Sequence, residues 1–238
     1  MRKTTHSRAD QTRHRILEAA IREFSEHGLA GARTGAIADA ARVNKALLYY
    51  YFRDKEALYA AALEEVAGKV AESALAVLDM TCSPGERMLR FALQHFDRIL
   101  SQQGFQALMQ QEMIRFREGR GSALRILAEK AFAPMFQRAQ TIAEEGIRCG
   151  ELCDVDWMQM MYAALGANVF YFLSAPMMRL IGASDPLEPA AMAARRSAAI
   201  EFLGHAIFAD RRHGARLAKN VLAAMPMPES QSPERKTA

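Results

Sequence analysis

The 238-residue chain is 50% apolar and 24% charged, a composition that supports a sizeable globular core and excludes a largely disordered protein. Its net charge of +4 is unevenly spread: residues 1–60 hold 11 Lys and Arg against 7 Asp and Glu, and the rest holds 20 of each. A basic first quarter on a neutral body points to a polyanion, nucleic acid above all, as that quarter's partner; the alternative is a solvated basic tail.

Residues 1–9 read as a basic flexible arm without the apolar run of a signal peptide. Beyond them helical spacing dominates and β-branched residues are sparse, so the chain is expected to be all-α. A first helix is predicted over Ala9–His27, with Ile16, Ala20, Ile21 and Phe24 as its apolar stripe and Gly28 as its stop. Thr34 suits the N-cap of a short helix whose inner face is Ile37, Ala38 and Ala41. A three-residue turn, Arg42–Asn44, follows, and Asn44 caps a second helix, Lys45–Tyr51. Two short helices about a tight turn, steadied by a longer one, make a helix-turn-helix over about 33–52 within a domain of residues 10–70.

At about 100° per residue, Leu47, Leu48 and Tyr51 fall on the packing side of the second helix, and Lys45, Ala46, Tyr49 and Tyr50 face outward. A face with one Lys, two Tyr and one small residue suits a helix laid in the major groove of DNA. The alternative, three core tyrosines, would require Tyr49, Tyr50 and Tyr51 to be buried at once. Lys55 stands in the first turn of a helix capped by Asp54, where the helix dipole disfavours a cation; a phosphate there would reverse the balance. The competing reading of Lys55 is an indifferent surface lysine.

That helix is predicted to run from Asp54 toward Met80, ended by the Cys82–Gly85 break. Further helices are expected over Glu86–Leu100, Phe105–Phe116, Ser122–Arg148, Val155–Ser174 and Pro189–Phe208, an antiparallel bundle filling residues 71–225. Residues 226–238 read as a disordered tail. Trp157–Met178 is an uncharged stretch of membrane-spanning length, but Gln159, Asn168, Ser174 and Pro176 within it, and flanks without a basic cluster, favour a core or subunit interface over a membrane. Cys82, Cys149 and Cys153 make an odd count without metal-ligand spacing, which suits a reduced, cytoplasmic chain; whether Cys149 and Cys153 form a redox pair is left open.

The run Thr34–Leu58, including Ile37-Ala38, Val43-Asn44-Lys45, Leu48-Tyr49-Tyr50-Tyr51-Phe52 and Lys55-Glu56-Ala57-Leu58, resembles the DNA-binding domain of the TetR/AcrR family over about residues 10–70; the remainder resembles it in length and helical character only. The resemblance implies a homodimeric regulator, most often a repressor, that a small molecule in the C-terminal domain releases from a double-stranded operator. By that pattern Thr34, Lys45, Tyr49, Tyr50 and Lys55 contact the DNA backbone, while Gly35 and the start of the second helix (Asn44, Ala46, Leu47) face the bases. Three positions depart from it: Arg42 stands where the turn usually has Gly, Ala46 replaces a frequent Gly, and Leu47 replaces a frequent Thr, turning a polar contact into an apolar one suited to a thymine methyl.

The C-terminal region is dense in aromatics and Met. Most must be core, and the candidate ligand pocket drawn from them is Phe91, His95, Phe105, Met109, Met113, Phe116, Trp157, Met161, Asn168 and Phe172, suited to an apolar or aromatic effector. Small residues such as Ala163, Gly166, Ala167, Ala194 and Ala198 suit Val155–Ser174 and Pro189–Phe208 to dimerisation, and one short recognition helix per chain points to a palindromic operator. No metal-binding, cofactor-binding or catalytic motif is present, so the chain is not expected to be an enzyme. The readings that compete are a helical enzyme and a protein-binding adaptor without DNA binding.

Overall fold

The computed structural model of the protein describes residues 8–121, 123–182 and 185–228; residues 1–7 of the expected arm and 229–238 of the expected tail lie outside them. The described residues are helical and contain no strand. In chain order the helices are α1 (Arg8–Gly31), α2 (Thr34–Ala40), α3 (Lys45–Tyr51), α4 (Lys55–Leu78), α5 (Pro84–Ser101), α6 (Gln103–Arg117), α7 (Ala123–Leu127), α8 (Ala133–Arg148), α9 (Trp157–Leu180), α10 (Pro189–Ala206) and α11 (Arg211–Ala224), with a π-helical turn, Ala128–Phe132, between α7 and α8. They form two compact units: Met1–Glu72 with Gly104–Pro134, and Ser73–Gln103 with Met135–Ala238.

In the first unit the predicted stripe of α1 is the core: Ile16, Ala20 and Phe24 are fully buried and Ile21 packs against them. Gly28 has φ +64°, which breaks the helical backbone where the stop was expected, and the chain turns once more before ending at Gly31. A Cβ at Gly28 would sit 2.8 Å from the Gln111 Oε1 of α6. Residues Gly104–Pro134 belong to this core: Leu108, Met109, Ala123, Leu127 and Ala131 join the α1–α4 cluster, the Tyr59 hydroxyl donates to the Leu108 carbonyl at 3.5 Å, and Lys130 pairs with Glu64 at 3.0 Å. The first unit is thus wider than residues 10–70.

The single helix expected over Ser122–Arg148 is three segments. Pro134 has no N–H to donate and its ring would crowd the carbonyl four residues back, and the wider π turn just before it, closed by Ala133 N–H to the Ala128 carbonyl, makes that room. The Cys82–Gly85 break is shorter than expected, because Ser83 caps α5 (Oγ accepting from Glu86 N–H, 3.2 Å) and Pro84 opens it. α9 starts two residues later than expected, capped by Asp156, and runs on through Pro176 to Leu180 instead of ending at Ser174. α10 and α11 cross with no side chain between them at one point: a Cβ on Gly204 would lie 2.7 Å from the Gly214 carbonyl oxygen. α11 has no counterpart among the predicted helices. No helix among the described residues, α9 included, is long and apolar enough to cross a membrane.

Candidate nucleic-acid interface

The turn of the helix-turn-helix is built by backbone hydrogen bonds. The Arg42 N–H donates to the Asp39 carbonyl (3.0 Å) and the Val43 N–H to the Ala38 carbonyl (2.9 Å), which closes α2 in a Schellman motif with Arg42 at the left-handed position, φ 55°. Glycine adopts that conformation freely and arginine does not, so the departure noted at Arg42 is a strained turn in its normal place. Asn44 then caps α3 as expected, its Oδ1 accepting from the Leu47 N–H at 2.7 Å. Leu48 is fully buried, Phe52 nearly so, and Tyr51 half-buried, which fixes α3 on its inner side. Arg13 of α1 lies over the Phe52 ring, 5.4 Å from its centroid; no local pattern marked Arg13, because the contact spans the whole motif.

Two expectations need correction. Leu47 does not pack with Leu48: it is 36% exposed and joins Lys45, Ala46, Tyr49 (43%) and Tyr50 (80%) on the outward face. Leu48 already occupies the centre of the buried side, and one residue back along a helix is a rotation of about 100°, out of reach of α1 and α2. Nor is Thr34 the N-cap of α2. That position is Arg33, which makes no side-chain cap bond but is held by its own N–H donating to Glu23 Oε1 at 2.9 Å. Thr34 opens the helix and places its hydroxyl 3.2 Å from that of Tyr49.

The two helices meet at a second point. A Cβ on Gly35 would lie 3.1 Å from Lys45 Cε and 3.4 Å from its Nζ, so the glycine leaves the space over which the Lys45 stem folds. At the start of α4 the Asp54 Oδ1 accepts from the Ala57 N–H at 2.7 Å; that bond, then the Arg53 guanidinium beside it, holds the Asp54 carboxyl below its usual range. Lys55 Nζ donates to the Ala30 carbonyl at 3.2 Å, an acceptor at the end of α1 that offsets its unfavourable place on the α4 dipole. Thr34 with Tyr49 and Gly35 with Lys45 thus bring α2 and α3 into one exposed surface that bears Lys45, while Lys55 ties the start of α4 to the end of α1.

The candidate pocket residues are not gathered in the same way. Phe105, Met109, Met113 and Phe116 belong to the first unit, where Met109 is core and Met113 and Phe116 are exposed. In the second unit a cavity of about 560 Å³ opens between α9 and α10 over α5, lined by Ala92, Phe96, Met160, Ala164, Asn168 and Leu203 among others; of the ten candidates only Asn168 lines it. Phe91, Trp157 and Met161 line a crevice of about 20 Å³, too small for a ligand. His95 faces the protein interior with its Nδ1 buried and unpartnered.

Residues 16–62 match the family model described as bacterial regulatory proteins, tetR family, and residues 84–203 match the Tetracyclin repressor-like C-terminal domain. Over 56 residues the chain is 50% identical to the HTH-type transcriptional repressor SCO4008 of Streptomyces coelicolor, covering 24% of this chain and 29% of the relative. The chain therefore matches between a quarter and a third of that relative's length. Among solved structures it resembles a transcriptional regulator from Saccharomonospora viridis in complex with choline (TM-score 0.66, 19% identity, 82% of this chain and 97% of that one). It also resembles FadR of Bacillus subtilis in complex with stearoyl-CoA (TM-score 0.61, 20% identity, 80% and 97%). These two likenesses are of fold. With its helix-turn-helix and most of its second half matched, the chain belongs to the tetR family of bacterial regulatory proteins.

Proposed function

We propose that this chain is a helix-turn-helix transcriptional repressor that binds a palindromic operator as a homodimer and is released by a small apolar or aromatic effector. The observation that carries the reading is the outward face of α3. Lys45, Tyr49 and Tyr50 stand on it beside Thr34, and Lys55 stands at the next helix start, a set that supplies two charged and three hydroxyl donors to phosphates. Gly35, Asn44, Ala46 and Leu47 face the bases between them.

Dimerisation is supported by what α9 and α10 leave uncovered. Tyr162, Phe170, Leu173 and Leu180 of α9 are each more than half exposed, an apolar patch of the kind that marks a protein interface, while the equally exposed Phe202 of α10 lines the cavity. On α9 the cavity is lined by Met160, Ala164 and Asn168, about half a turn from Tyr162 and Leu173, so a partner and an effector need not compete for one face. The cavity volume falls in the range of small-molecule sites. The two structural neighbours bind an acyl-CoA thioester and a quaternary ammonium, so effector chemistry is not inherited with the fold. An effector favouring the DNA-free arrangement by about 1 to 3 kcal/mol would weaken operator binding by about 5- to 150-fold.

The test is an anisotropy titration of the full-length protein on DNA selected from genomic fragments, with light scattering of the complex. Expected are salt-dependent, sequence-specific binding by two chains per site, weakened by compounds that raise the melting temperature, and loss of both dimer and operator binding in Leu173→Glu. Tight specific binding by a monomer would overturn the dimer, and absence of any preferred sequence would overturn the function.

A further inference from the structure

We infer that Leu47 selects thymine through its 5-methyl group at one fixed position of each operator half-site, an inference that rests on the DNA-binding role proposed above. Its basis is how the other groups on the outward face of α3 are already engaged. Asn44 Oδ1 accepts the Leu47 N–H at 2.7 Å. The Tyr49 hydroxyl is 3.2 Å from that of Thr34, and the Lys45 stem folds back over Gly35; both side chains lean toward the start of α2. Tyr50 stands at the other end of the face with its ring edge against Tyr51, centroids 5.5 Å apart.

What remains is Ala46 on the face and Leu47 at its flank, two side chains that can neither donate nor accept. Leu47 is the larger, is 36% exposed, and makes no use of that exposure within the first unit. A base edge in the major groove presents hydrogen-bonding atoms, which an isobutyl group would strand, with one exception: the thymine C5-methyl. Ala46 beside it keeps the helix close enough for carbon-to-carbon contact. Burying one methyl is worth about 4-fold in affinity, so two half-sites give about 10- to 20-fold.

The experiment uses the full-length protein and an operator selected from a random library. Each thymine is replaced in turn by deoxyuridine, which removes only the methyl. One position per half-site is expected to lose about 4-fold, and both together 10- to 20-fold. At that position Leu47→Ala should bind deoxyuridine and thymine alike, while a selection repeated with Leu47→Thr should no longer return thymine there. Cytosine at the same position should bind weakly and 5-methylcytosine better. Indifference of the wild-type protein to every such replacement, or Leu47→Ala retaining the full thymine preference, overturns the inference while leaving sequence-specific binding intact. Failure of the wild type to select any operator overturns the parent reading as well.

Discussion

Arg196 of α10 and Asp97 of α5 are joined as a fork, Nε to Oδ1 at 2.6 Å and Nη2 to Oδ2 at 2.8 Å, and the same Nη2 donates to the Met225 carbonyl at 2.7 Å just past α11. Three helices of the second unit therefore share one guanidinium, whose side chain is 6% exposed against 15% for its carboxylate. Removing one partner leaves the other charge buried and unpaired, so Arg196→Met is expected to cost about 3–5 kcal/mol, read from urea unfolding. Arg196→Lys restores the charge without the fork and should fall between the two. A loss below about 1 kcal/mol in the Met variant would show that the pair does not hold these helices.

The left-handed Arg42 makes the opposite prediction. Its conformation costs an L-residue about 1–2 kcal/mol, part of which glycine returns through the freedom of its unfolded chain. Arg42→Gly should therefore raise stability by up to about 1 kcal/mol, or roughly 2–4 °C in melting temperature for a protein of this size. A lower melting temperature would mean that the arginine side chain contributes more than its backbone costs.

His95 predicts an acid limit. Burial first, and the neighbouring Arg98 second, push its pKa down to about 4 from an ordinary 6.5. Because the folded value lies below the unfolded one, protons bind the unfolded chain more readily. The stability is complete above about pH 6.5 and is lost as pH falls toward 4, on the order of 3 kcal/mol across that window. Urea midpoints measured between pH 7 and 4.5 should decline steeply in the wild type and less steeply in His95→Gln; equal slopes would assign the acid sensitivity to carboxylates.

Lys55 is the probe of phosphate contact. Lys55→Ala should weaken binding to all DNA sequences alike and reduce the slope of log affinity against log salt by about one. An unchanged slope would leave Lys55 with its Ala30 carbonyl as its sole role.

Local signals in the sequence were enough for α1, the short helices of the motif and the Asn44 cap, because each rests on spacing or on a side chain that reaches three residues along its own backbone. Where two adjacent residues compete for one geometric role the reading slipped by one, as with Thr34 and Arg33. Leu47 shows a related ambiguity: a helix of seven residues has too few turns for spacing alone to separate its flank from its inner face. The cavity was least legible, since its walls come from α5, α9 and α10, up to 115 positions apart between Ala92 and Ile207, and only Gln159 and Asn168 carried a polar mark within the apolar run of α9. Pro176 misled in the other direction, as proline signals a helix end locally while α9 continues past it.

The first unit is discontinuous along the chain, and this bears on how the DNA-reading surface can be handled. Gly104–Pro134 fills out the same core as α1 to α4, with Leu108 and Met109 beside the Tyr59 that meets Phe24 edge to face at 5.1 Å. A fragment cut after residue 80 would keep every residue of the helix-turn-helix and yet lose the layer that roofs it. The motif is therefore not a detachable cassette: domain swaps that exchange residues 1–80 for those of another regulator graft a foreign floor beneath a native roof, and their success depends on matching α4 to α6 as much as on the recognition helix.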